Sequence, residues 1–130
     1  MNYSTYKTTT ARLLSAAFLA VLMLQPAIGQ TVKKKEPFTQ FWTRFKAALA
    51  KDDRQAVAAM TKFLGDNSTY LTDKEFLDNW YVELRRERRC FAREKPVKDQ
   101  NNYMVFCGER IFLFSMIDGE WKFTEIGAND

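Results

Sequence analysis

The sequence predicts an α+β fold in which N-terminal helices pack on one face of a C-terminal three-stranded antiparallel β-meander. Three observations carry that expectation. Apolar residues recur at three-and-four spacing through residues 38–91, and the pattern switches to period two from Asn102 onward. Two dipeptides with hairpin chemistry, Gly108-Glu109 and Asp118-Gly119, then divide the end of the chain into strands.

Before the first helix, residues 1–29 read as an export signal. Lys7 and Arg12 are the only charges, and an apolar run follows from Leu13 to Leu24. Gln25-Pro26 break the run, and Ala27-Ile28-Gly29 offer small residues for cleavage before Gln30. The uninterrupted apolar run is shorter than the ~20 residues a spanning helix needs, which favours cleavage over a membrane anchor. No cysteine lies near the cut to be lipidated. Removing this segment takes two of the 20 basic residues and none of the 16 acidic ones, so the net charge falls from +4 to 18 − 16, or +2. Residues 30–130 suffice for a single α+β domain, exported to the periplasm or secreted.

An exported chain meets an oxidising compartment, and two cysteines have one intramolecular pairing, Cys90 with Cys107. A bridge over that loop contributes about 3 kcal/mol by the loop-entropy argument. A nucleophilic cysteine would need a base, and the chain contains no histidine. That absence also removes Ser-His-Asp triads, His-based zinc sites and the usual proton shuttle near neutral pH. No catalytic motif, metal-ligand set or cofactor motif stands out.

The elements follow in order. Phe38, Phe41, Trp42, Phe45, Ala48 and Leu49 form the inward stripe of a first helix, with Pro37 suited to its first turn. Asp52-Asp53 caps a second helix that carries Ala56, Val57, Met60 and Phe63 and stops at Gly65 in a left-handed cap. Asn67-Ser68-Thr69 is a loop, and also a glycosylation sequon in a eukaryotic secretory pathway. Thr72 and Glu75 make a capping box that starts a third helix with Leu77, Trp80, Tyr81 and Leu84 inward. Extending that stripe to Phe91 places Arg88 on it. Either the helix breaks near Val82 or a guanidinium points at the core and needs a partner.

The two turns set the strand register: Cys107 opposite Arg110, Val105 opposite Phe112, Tyr103 opposite Phe114, Met116 opposite Trp121 and Phe114 opposite Phe123. The face bearing these residues is the one the helices cover. On the other face Met104, Phe106, Ile111, Leu113 and Ile126 form an apolar end, whereas Asn102, Ser115, Glu120 and Lys122 form a polar end. That apolar end is either a partner interface, including a homodimer contact, or is covered by the N-terminal leader or the 92–101 loop.

The aromatic run Phe38, Phe41-Trp42 and Phe45, the further helices, and a meander ending in Asp118-Gly119-Glu120-Trp121-Lys122-Phe123 together resemble the nuclear transport factor two-like, or cystatin-like, superfamily. The resemblance implies a sheet bent around a long helix to make a conical pocket. Members serve as small-molecule enzymes, binding modules or dimerisation domains, so the likeness leaves function open.

Two constellations are candidate sites. Arg85, Arg86, Arg89, Arg93 and Lys95, with Arg88 and Lys98 nearby, form an anion patch; interleaved Glu83, Glu87 and Glu94 make a solvated helix face the competing reading. Arg110 and Glu125, one diagonal step apart on the covered face, with Arg88, are either a structural salt bridge or the polar floor of a pocket walled by Tyr103, Phe112 and Trp121. The weight falls on a non-enzymatic binding or interaction module of the cell envelope, recognising a protein or a small, in one reading anionic, ligand. The alternative is a pocket enzyme using Glu125 as base and Arg110 as electrostatic helper. Nucleic acid is not an expected partner outside the cytoplasm.

Overall fold

The computed structural model describes residues 34–129. Helices α1 (Phe38–Ala50), α2 (Arg54–Ala59), α3 (Asp73–Asn79), α4 (Tyr81–Arg86) and α5 (Arg88–Arg93) precede strands β1 (Val97–Asp99), β2 (Asn102–Cys107), β3 (Arg110–Ile117) and β4 (Glu120–Ala128). The export segment and the expected start at Gln30 lie outside the described residues. No described helix is long and apolar enough to cross a membrane.

The whole predicted stripe of α1 is buried. It lies against the sheet, where Phe45 meets Phe114 edge-on with ring centroids 5.2 Å apart. Around that contact Phe91 packs on Phe112 at 4.8 Å and Phe114 on Phe123 at 5.5 Å. Phe45, Phe112, Phe114 and Phe123 are fully buried, so aromatic rings fill the space in which the resemblance implied a conical pocket.

Three helical expectations change. α2 ends at Ala59 rather than near Gly65. Residues 60–64 instead run beside β4: Lys62 N–H donates to Phe123 O (2.8 Å), Leu64 N–H to Thr124 O (2.9 Å), and Phe123 N–H to Met60 O (2.9 Å). This arrangement covers the β4 edge and buries Phe63. Gly65 is absent from the residues with positive φ; its lack of a side chain serves space, since a Cβ there would lie 2.9 Å from Leu71 Cδ2.

The capping box at Thr72 and Glu75 is present, but the third helix is three short ones. The helix is interrupted at Trp80 and again at Glu87, where the sequence left open a break near Val82 or an unbroken helix with Arg88 inward. Phe76 is buried while Leu77 and Trp80 are half-buried. The second bend turns Arg88 to solvent while leaving Phe91 in the core. It avoids the penalty of burying an unpaired guanidinium, several kcal/mol in effect.

The sheet has four strands in the order β1-β2-β3-β4, not three. The addition is β1, three residues from the segment expected to be a loop, paired antiparallel with β2. Residues 97–99 therefore widen the sheet in its own plane instead of covering its outer face. Both anticipated hairpins are present. Asp118 and Gly119 each have positive φ, and so does Gly108, as their turn types require.

All five anticipated strand pairings occur. Beyond them, a bulge between Leu113 and Phe114 adds one residue to β4, so Leu113 faces Glu125 and Phe112 faces Ile126. One extra residue exchanges the faces of everything after it. An uninterrupted ladder would place Glu125 beneath the helices and Ile126 outside. The bulge sends Glu125 to solvent and packs the partly buried Ile126 against the core, which combines apolar burial with avoidance of a buried carboxylate.

Candidate functional site

The residues expected to make a polar pocket are not brought together. Glu125 is exposed and pairs across the strands with Leu113. Arg110 is on the other face, where its guanidinium donates to Glu83 of α4. The same carboxylate accepts from Arg86 at 2.9 Å. Hydrogen bonding from Arg110 holds the Glu83 carboxyl below the usual carboxylate range, against a smaller opposing effect of burial. Tyr103 and Trp121 are at the far end of the sheet, stacked face-on and edge-on against Phe38 at 3.7 and 5.0 Å. Tyr103 is four residues along β2 from Cys107, the strand partner of Arg110, or about 13 Å. Phe112 is sealed in the core and Arg88 is in solvent. Glu83 is the partner that reading the sequence missed; only the docking of α4 on the sheet end brings it to Arg110.

Cys90 and Cys107 lie at disulfide-bonding distance, S–S 1.95 Å, joining α5 to the end of β2. Beside them is a surface hollow of about 440 Å³ that Glu87, Arg93, Glu94 and Arg110 also line. Glu87 lies within 4.8 Å of both sulfurs. With the sulfurs bonded to each other, neither is a thiolate, and this donor set does not suit a metal ion.

The basic segment divides. Arg85, Arg86, Arg88 and Arg89 line one hollow of about 380 Å³ where α4 meets α5. Arg93 lines the separate hollow at the disulfide, and Lys95 follows the end of α5. The carboxylates that sequence spacing interleaves among the arginines lie elsewhere. Glu83 is shared by Arg86 and Arg110, and Glu87 lines the disulfide hollow. Asp52 is 3.9 Å from Arg85 and accepts the Tyr81 hydroxyl at 2.6 Å. Burial, with that hydrogen bond, pushes Tyr81 up to about 12. Among the described residues, no ion pair engages Arg88 or Arg89.

No family model, curated protein or solved structure matches this chain. What it can do is therefore read from its own surfaces.

The second surface is the outer sheet face. Met104, Phe106, Ile111 and Leu113 are partly buried there, and Val97 of β1 is 49% exposed beside Met104. Ile126, expected in this group, has left it for the core side, and Glu125 takes the position opposite Leu113. The patch is apolar in its middle with a carboxylate at its border.

Proposed function

We propose that this chain is a non-enzymatic binding module that works in the cell envelope, periplasmic or secreted, after cleavage near Gln30. The dispersal of Arg110 and Glu125 to opposite faces carries this reading. A pocket enzyme of the alternative kind needs a carboxylate poised in a cavity beside its electrostatic helper. Here the carboxylate faces water and the guanidinium is engaged by Glu83. The ring-filled interior argues the same way, while the exposed arginine hollow and the partly buried apolar sheet face offer surfaces to engage a ligand or partner. The cysteine pair at bonding distance supports an oxidising compartment. The nuclear transport factor two-like resemblance belongs to the same proposal, supported by helices preceding an antiparallel meander and by the aromatic α1.

The test is crosslinking of the exported protein in its native envelope, with intact mass fixing the start at Gln30. Leu113→Asp and reversal of Arg85, Arg86 and Arg89 to Glu are expected to remove partners selectively, and Glu125→Gln to remove none. A biological phenotype lost with Glu125→Gln alone, in a protein that still folds, replaces the binding module with the enzyme.

A further inference from the structure

Four arginines line one hollow where α4 meets α5, and the charge they leave unmatched defines what they suit. Glu83 serves Arg86 but is shared with Arg110, and Asp52 reaches Arg85 only at 3.9 Å. Arg88 and Arg89, the first two residues of α5, are exposed and without an ion pair among the described residues. Glu87, the carboxylate between Arg86 and Arg88 in sequence, lines the separate hollow beside the disulfide. The interruption at Glu87 thus separates that carboxylate from its sequence neighbours: Arg85, Arg86, Arg88 and Arg89 line one hollow, and Glu87 lines the other with Glu94, Arg93 and Arg110.

We propose that this hollow binds a phosphate monoester. Each guanidinium presents a planar fork of donors that matches two oxygens of an oxyanion, and a phosphate offers several such edges to forks arriving from different directions. A carboxylate has one edge and satisfies one fork. The dianion, about −1.5 to −2 near neutral pH, also matches Arg88 and Arg89, which have no ion pair among the described residues. The volume of about 380 Å³ exceeds what a phosphate fills and is open to solvent, leaving room for the ester substituent. Among the described residues only arginines line it, so recognition runs through the phosphate. The phosphate can come from a soluble ester or from a lipid headgroup.

This inference rests on the binding-module reading. The test titrates the exported, oxidised protein with inorganic phosphate at about 0.15 M salt, where long-range attraction between exposed charges is screened. Backbone amide shifts report the site. Saturable shifts confined to residues 85–89 are expected, with affinity lowered about tenfold or more in Arg88→Glu/Arg89→Glu. Arg88→Gln/Arg89→Gln, which adds no repulsion, should weaken binding in the same direction. The control Lys35→Glu/Lys98→Glu makes the same change in net charge at two exposed residues outside the hollow and should change affinity less than about twofold. Vesicles of neutral lipid with phosphatidic acid form the second arm. Co-sedimentation that needs Arg88 and Arg89 assigns a headgroup source, whereas phosphate binding without co-sedimentation assigns a soluble ester. Equal weakening by the control, or chloride displacing phosphate at equal concentration, overturns the site. If phosphate fails while Leu113→Asp still removes a crosslinked partner, the phosphate site is wrong and the binding module stands.

Discussion

Glu83 is a carboxylate whose ionisation is tied to the packing of a helix on the sheet. Its native pKa is lowered, chiefly by Arg110, so the folded protein binds that proton less readily than the unfolded chain. The stabilisation is therefore complete above the unfolded value, about 4.3, and is lost as pH falls through the lower native value. Arg110 is 39% exposed, which limits the pair to about 0.5–1 kcal/mol. Urea unfolding at pH 7 should find Glu83→Gln less stable than wild type by that amount, with the gap closing as pH falls below the unfolded value of about 4.3 and through the lower native one. A gap of constant size across this range would mean that Glu83 acts by packing and not by charge. Spacing shows that Glu83 can reach Arg86, three residues on in the helix. It cannot show the second partner, 27 residues away, because that contact depends on the placement of a helix on a sheet.

At the scale of elements, the bulge in β4 decides what the outer face offers. Period two predicts face membership only while the count is unbroken, and Thr124 breaks it with no glycine or other local mark to announce the change. Thr124 sits at the irregularity, its hydroxyl donating to Leu113 O at 3.3 Å and its carbonyl accepting from Leu64 N–H. Deleting Thr124 restores a regular ladder with Glu125 still outward and Ile126 still inward. That variant should fold with its disulfide intact and lose about 1–2 kcal/mol with the missing hydrogen bonds. Deleting Ser115 instead exchanges faces within β3 and should abolish folding. A Thr124 deletion that fails to fold, in the same thermal melt in which wild type is cooperative, would show that the bulge is needed for more than register. The bends at Trp80 and Glu87 have a related origin. A straight helix satisfies the spacing of Trp80, Tyr81 and Leu84, but it also carries Arg88 inward, and burial of the charge is avoided by bending the chain.

For the whole molecule, the interior is small and aromatic, and the Cys90–Cys107 pair ties its last helix to its sheet across a separation of 17 residues. Replacing both cysteines with serine should lower the stability measured in urea by about 3 kcal/mol. An unchanged midpoint, or two titratable thiols in the native exported protein, would contradict that link. The sequence by itself determined the order of helices before sheet, the stripe of α1, the capping box at Thr72, the two hairpin turns, the five strand pairings nearest those turns and the pairing of the two cysteines. Each follows from local chemistry: the period of apolar residues, the backbone freedom of Gly108 and Gly119, a side chain that caps its own helix, or the presence of only two cysteines. Only the tertiary structure decided that residues 60–64 leave their helix to cover an edge, that 97–99 become a strand, that Glu125 turns outward, and that four arginines share a hollow while Glu87 does not. These outcomes depend on groups distant in sequence: an unpaired strand edge needing donors, a carboxylate whose burial is avoided, and a chain bent so that Phe91 and Arg88 each reach the environment that suits them.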